Sequence, residues 1–256
     1  MKTSENAKGS DIFRGFLISR PWISLILADG GFMKIGIVIA IERELKAFLE
    51  SEYKIEELQN RSTKYFRTAV GENEVYAIKS GYGLIDAAAA TQFLISCCGV
   101  EVILNFGVTG ALDPVLKVED LLLVTKCMNY DYDVSPIDPV KRRQYEEFAD
   151  EFIPLDVEMA GFARKLLPEL KDAVCCSGDR FIEERQDKTE RFNAGCSICD
   201  MELAAIARTC ALQGVKCLSV KCISDTFAGD GGDFNTNVSR SAAKAFGLID
   251  RLLNEL

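Results

Sequence analysis

The run Cys217-Leu218-Ser219-Val220-Lys221-Cys222-Ile223-Ser224-Asp225 constrains the fold more than any other stretch. It is apolar or small almost throughout and stops at Ser-Asp. A strand with one wet face alternates apolar and polar residues; a strand that does not alternate is buried on both faces. Covering both faces takes helices above and below, so the chain reads as α/β. Ligands of open α/β sheets bind at the carboxyl ends of the strands, where Asp225 stands. A second acid, Glu202, opens the helix that begins in Asp200-Met201-Glu202-Leu203-Ala204-Ala205-Ile206-Ala207, one crossover earlier. Two acids so placed point to acid chemistry on a small polar ligand.

The rest of the chain follows the same alternation. Strands are expected at 34–40, 65–70, 75–80, 102–106, 120–126, 173–177 and 215–224, the second and third paired around Gly71-Glu72-Asn73. Helices are expected at 42–52, 84–98, 158–166, 201–213 and 239–256. This order predicts a single-domain, three-layer α/β/α sandwich around a central mixed, mostly parallel sheet, spanning 33–256. Residues 1–32 differ: a polar start, Arg20-Pro21, and an apolar run over 22–28 that is too short to span a bilayer. We read them as a non-core extension from an upstream start, with a targeting segment as the lesser alternative.

Composition narrows the chemistry. There is no histidine, which excludes Ser-His and Cys-His nucleophile pairs and histidine metal sites. Acid–base work falls to Asp, Glu, Lys, Tyr or Cys. A net charge of −9 disfavours nucleic acid and anionic membrane as partners. Most of the ten cysteines sit in apolar runs, as small hydrophobes of a reducing cytoplasm rather than a disulfide framework. Cys196-Ser197-Ile198-Cys199 has CxxC spacing, but no second pair or histidine completes a zinc site.

Several strand ends carry polar chemistry. Ile41-Glu42-Arg43-Glu44 follows the first strand, although acids at a helix N-terminus also simply favour the macrodipole. Lys79-Ser80-Gly81-Tyr82-Gly83 and Asn105-Phe106-Gly107-Val108-Thr109-Gly110 read as strand-then-glycine turns whose N–H groups can hold a ligand oxygen, or as plain tight turns. Neither is GxGxxG or a Walker loop. In Ser177-Gly178-Asp179-Arg180-Phe181-Ile182, Phe181 and Ile182 either sandwich a flat base or belong to the core.

The order of these signals is specific. Met-Lys-Ile-Gly-Ile with its acid cluster, Ser-Gly-x-Gly, Asn-x-Gly-x-x-Gly-x-Leu, Ser-Gly-Asp-x-Phe-Ile, Asp-Met-Glu and Ile-Ser-Asp follow in turn. Together they resemble the nucleoside phosphorylase/nucleosidase superfamily, most closely its 5′-methylthioadenosine/S-adenosylhomocysteine nucleosidase branch. The resemblance covers about 33–256 and implies a cofactor-free purine nucleosidase of methionine salvage. By it, Asp225 of the Ile-Ser224-Asp motif protonates the purine near N7. Glu202 binds the ribose hydroxyls and stabilises a cation-like sugar. Glu44 orients and deprotonates the attacking water. Met201 packs on the ribose, Phe181 stacks on the base, and the Ile182 backbone reads its edge. Ile41 and Tyr82 line the 5′ side, which a neighbouring subunit completes; a homodimer is therefore expected, with the loop around Pro136-Ile137-Asp138 reaching across.

The resemblance also frames the main choice of nucleophile. Phosphorylases of the superfamily hold phosphate with an arginine where Asn105 stands and a serine where Val108 stands; neither residue here suits a dianion, which favours water. Val108 also replaces a serine that nucleosidases use near the sugar and water. Lys221 replaces an arginine beside the catalytic glutamates, keeping the charge but losing the planar fork. Three readings remain open on the sequence: a nucleosidase acting on methylthioadenosine, adenosylhomocysteine or a relative, a phosphate-dependent phosphorylase, and a nucleoside-binding protein without catalysis.

Overall fold

Among the described residues ten strands pair into one mixed sheet, and the apolar runs supply its middle. The strands are β1 (Lys34–Ile39), β2 (Glu56–Asn60), β3 (Thr63–Val70), β4 (Asn73–Lys79), β5 (Val102–Ala111), β6 (Leu121–Asn129), β7 (Ile153–Pro154), β8 (Lys171–Ser177), β9 (Ile198–Asp200) and β10 (Lys216–Asp225). Parallel pairings β4–β1, β1–β5 and β5–β10 form the centre. β3 and β2 add antiparallel at one edge. At the other end β10, β6, β8, β9 and β5 pair in a closed circuit. The structure is a computed structural model and describes residues 32–256; except for Phe32, the reading of 1–32 lies outside the described residues.

Helices cover both faces, as the unalternating strands require. On one face lie α1 (Glu42–Leu49) and α6 (Gly231–Leu253). Phe48 of α1 meets Phe246 of α6 edge-on at 6.0 Å, and Phe246 meets Phe106 of β5 at 5.6 Å. Phe48 is fully buried, which contributes about 1.5–3 kcal/mol by area. On the other face α2 (Leu84–Phe93) and α5 (Leu203–Gln213) pack together. Ala87 and Ala90 meet Ala204, Ile206 and Ala207 in one cluster with Val38 and Ile103; the small side chains let the two helices lie close. The remaining helices of the described residues are α3 (Val157–Leu166) and α4 (Arg185–Asn193), with a π-helical turn at Leu94–Cys98 that ends on Gly99 in the left-handed region.

The differences from expectation have local causes. β2 is polar because it is an edge strand, and its charged residues guard the edge. α4 has no apolar periodicity, so nothing in Arg185-Gln-Asp-Lys-Thr-Glu-Arg-Phe-Asn193 announces it. α6 starts at Gly231 rather than 239, because Asp230 caps it through Gly232 N–H at 2.8 Å and Asp233 N–H at 3.2 Å. β5 does not turn at Gly107: it continues through both glycines to Ala111. All ten cysteines are free thiols, so Cys196 and Cys199 are not bridged. Among the described residues, no helix is long and apolar enough to cross a membrane.

Candidate active site

Strand ends β1, β5, β9 and β10 open on a cleft lined by Glu44, Asp200, Glu202 and Asp225, all buried or nearly so. A larger hollow of about 490 Å³ lies between α1, α2 and the β3–β4 hairpin. It gathers no such buried acids, so volume does not mark the site.

Glu44 sits in the first turn of α1 and turns back on the end of β1. Its Oε2 accepts from Ala40 N–H at 3.1 Å and Ile41 N–H at 3.2 Å, and its Oε1 from Val108 N–H at 2.8 Å. The Ile41 bond is half of a capping box, since Ile41 has no side-chain acceptor to complete it. A Cβ on Gly107 would collide with Glu44 Oε1; this explains a glycine inside a buried strand. Burial raises the Glu44 carboxyl above its ordinary value, against Lys221 and the three N–H bonds.

Glu202 is the N-cap of α5. Its Oε1 accepts from Gly83 N–H at 3.0 Å and its Oε2 from Met201 N–H at 3.2 Å. Burial, then the neighbouring Asp200 charge, push its carboxyl up to about 8. The Gly83 contact ties Glu202 to the N-terminus of α2, where Asp179 Oδ1 also accepts from Leu84 N–H at 2.7 Å. Gly81 and Gly83, with φ of 100° and 97°, form the turn that presents Tyr82 between them. No side chain but hydrogen adopts such angles readily.

Asp225 closes β10 at an irregularity in its pairing with β5: Ile223 faces Thr109 and Asp225 faces Gly110, with Ser224 between them unpaired. Such bulges re-aim side chains beside sites. Ser224 Oγ donates to Asp225 Oδ1 at 2.8 Å. A Cβ on Gly110 would stand 2.9 Å from Asp225 Oδ2, so this glycine too makes room for an acid. Burial raises the Asp225 carboxyl, while the Ser224 bond and the Lys188 charge oppose that rise.

Beneath these acids lies a buried pair. Lys221 Nζ stands 2.9 Å from Asp200 Oδ2, close in distance though off the axis of a good hydrogen bond. Asp200 Oδ1 accepts from Ser177 Oγ at 2.6 Å and from Glu202 and Leu203 N–H at 3.3 Å each. Burial alone would raise Asp200, but Lys221 and Ser177 outweigh it and hold the carboxyl below its ordinary value. Burial likewise works against the Lys221 charge, and the Asp200 and Glu44 carboxylates overcome it.

The structure therefore brings Glu44, Glu202, Asp225, Met201, Phe181, Ile182, Val108, Ile41, Tyr82 and Ser224 to one cleft. Lys221 does not line it: the side chain is 3 % exposed and points at Asp200, so it is placed to act through the acids rather than on a ligand. Phe181, 42 % exposed, forms an open wall and meets Phe234 of α6 edge-on at 5.5 Å. Sequence reasoning missed Phe234, Arg180, Cys199 and Thr109 in the lining. It also missed the pairing of Asp200, although Asp200 begins the Asp-Met-Glu motif.

The positions compared with phosphate ligands are committed elsewhere. Asn105 is buried in the sheet, donating to Val38 O at 3.0 Å and accepting from Ser219 Oγ at 2.9 Å. Val108 gives its N–H to Glu44. Arg180, among the described residues the one basic residue lining the cleft, pairs with Asp187 at 2.7 Å.

A family model described as the phosphorylase superfamily matches residues 34–254. The aminodeoxyfutalosine nucleosidase of Campylobacter jejuni is 28% identical over 79% of this chain and 90% of its own. The 5′-methylthioadenosine/S-adenosylhomocysteine nucleosidase of Shewanella denitrificans is 29% identical over 88% of this chain and 100% of its own. Among solved structures, the Helicobacter pylori 5′-methylthioadenosine/S-adenosylhomocysteine nucleosidase, complexed with an amino-pyrrolopyrimidine linked to a pyrrolidinol, superposes with a TM-score of 0.82. It is 29% identical, covering 88% of this chain and 100% of that one.

Proposed function

The chain belongs to the phosphorylase superfamily, and from that membership we propose that it is a purine nucleosidase, hydrolysing the N-glycosidic bond of 5′-methylthioadenosine, S-adenosylhomocysteine, aminodeoxyfutalosine or a close relative. The observation that carries water over phosphate is the position of Glu44. Its carboxylate fills the nest of backbone N–H groups from Ala40, Ile41 and Val108, a concavity suited to an anion. A phosphate dianion would have to displace the carboxylate already seated in that nest.

The chemistry follows from the charges. As the C1′–N9 bond breaks, its electron pair moves to the base and positive character grows on the sugar. Asp225 gives a proton to N7, so the base leaves neutral. Glu202 accepts from the ribose hydroxyls; burial favours its neutral form, and the positive charge growing on the sugar favours the carboxylate that stabilises it. Glu44 takes a proton from the water whose oxygen bonds to C1′. Preorganised groups aimed at developing charge are the largest source of such stabilisation, and paired carboxyls serve glycoside hydrolysis in the same way. Phe181 stacks on the base, and Met201 packs against the ribose.

Tyr82 and Ile85 are exposed beside the cleft, and Ile137 is 89% exposed on the β6–β7 connection. Apolar surface of this kind fits a homodimer in which the partner's loop closes the 5′ side. Ten free thiols fit a reducing, cytoplasmic setting.

One experiment tests the reading. Incubated with a panel of purine nucleosides, the protein is expected to release free base at a rate indifferent to added phosphate, and to elute as a dimer from a calibrated sizing column. Base release that requires phosphate makes it a phosphorylase; no release from any nucleoside leaves binding without catalysis.

A further inference from the structure

Helix α4 has no apolar stripe, yet its Lys188 is wholly buried. Nζ donates to Thr226 O at 3.0 Å and to Gly229 O at 2.7 Å. These carbonyls belong to the turn that leads from Asp225 into α6, itself closed by Gly229 N–H on Thr226 O at 2.9 Å. The ammonium has three donors, and with two committed to the turn it stands 3.9 Å from Asp225 Oδ2. Ser224 holds the other oxygen. One carboxyl thus has a neutral hydroxyl on one side and a cation on the other.

We propose that Lys188 is a positioning residue for Asp225: it anchors the turn that carries this acid, and its charge sets the pH range over which Asp225 keeps a proton. The proposal rests on reading Asp225 as the acid for the leaving base. A buried carboxyl with no cation near it holds its proton too firmly to give it up, and one in direct contact with a cation has none to give. Lys188 stands between these limits, which suits an acid that must work near neutral pH. Among the described residues, the other groups facing Asp225 are Asp233 of α6, Cys199 of β9 and Ser224 of its own strand, with Gly110 of β5 against Oδ2. Asp233 raises the Asp225 carboxyl and Cys199 carries no charge, so among the described residues Lys188 is the cation that acts on Asp225. Burying an ammonium is costly unless it is paired and fully hydrogen-bonded, which argues that the position serves Asp225.

Lys188→Met removes charge and donors together; Lys188→Gln removes the charge but keeps a donor for the turn. Activity needs Asp225 protonated, so it falls as pH rises through the Asp225 pKa. Losing a nearby positive charge raises that pKa, and in both variants the alkaline limb of kcat/KM is expected to move up by about one pH unit. kcat falls by roughly tenfold or more while KM changes little. In an Asp225→Asn background neither change adds a further loss, and Lys188→Arg restores the position of the limb. NMR of protein carrying labelled aspartate carboxyls, with Asp225 assigned by its loss in Asp225→Asn, reads the same shift without any turnover. That measurement stands even if no nucleoside is hydrolysed. An unmoved Asp225 titration in folded Lys188→Gln overturns the proposal, as does an equal kcat loss in the Asp225→Asn background. Should neither neutral variant fold, Lys188→Arg decides it: its planar head keeps the charge but cannot hold both carbonyls from one point, so a wild-type kcat rules the positioning role out.

Discussion

Asp225→Asn is expected to lower kcat by about 10²–10⁴-fold, the range that positioned general acids contribute. The substitution preserves shape, and the Ser224 hydroxyl that donates to Oδ1 at 2.8 Å can donate to the amide oxygen instead. What is lost is the transferable proton. Burial raises the Asp225 carboxyl, so the wild-type enzyme keeps its acid form further toward neutral pH than an exposed aspartate does. The activity that depends on it is present at low pH and lost as pH rises through that raised value. In the variant, the residual rate loses this alkaline limb. Steady-state rates measured across pH check both statements. Wild-type turnover in Asp225→Asn removes the residue from leaving-group chemistry.

Glu44→Gln is the second large effect. A base must be ionised, so its contribution appears as pH rises through the Glu44 pKa, which burial raises. With Asp225 needing its proton, the two requirements predict a bell-shaped profile. Glu202 titrates in the same cluster, at about 8, so the limbs belong to the set of acids, and the variants assign them. Glu44→Gln is expected to cost about 10²–10⁴-fold in kcat and to flatten the acid limb. It also touches stability. Three backbone N–H groups converge on the carboxylate, and an amide offers one acceptor oxygen, so its NH₂ faces at least one of those donors. A buried donor left without a partner costs about 1–3 kcal/mol. Denaturant unfolding is expected to show that loss alongside the kinetic one. Unchanged turnover, whatever the stability, takes Glu44 out of water activation.

Both variants act on groups whose positions depend on glycine. Gly107 and Gly110 were legible as punctuation, but as turns. In the structure they lie within β5, where they clear space for Glu44 and Asp225. Sequence pattern cannot separate these cases: a glycine that starts a turn and one that admits a distant carboxylate look alike until the partner is placed.

The sequence by itself determined the α/β class and singled out Glu44, Glu202 and Asp225 at element ends, which the structure gathers at one cleft. Those are local properties. Burial on both faces leaves an unalternating apolar run, and the residue that ends the run sits at the carboxyl end of the strands. Tertiary structure alone decided what holds those acids. Lys221, expected beside the catalytic glutamates, pairs with Asp200 below the cleft; Lys188, in a helix whose one apolar residue is Phe192, is buried 3.9 Å from Asp225. β2 and α4 went unread for the same reason, since an edge strand and a helix that buries charge carry no apolar period. Periodicity reports how a segment meets solvent along its own length. The partners of a buried charge lie far along the chain, as Gly83 does from Glu202 and Val108 from Glu44, and only the folded arrangement brings them within the few ångströms over which they act.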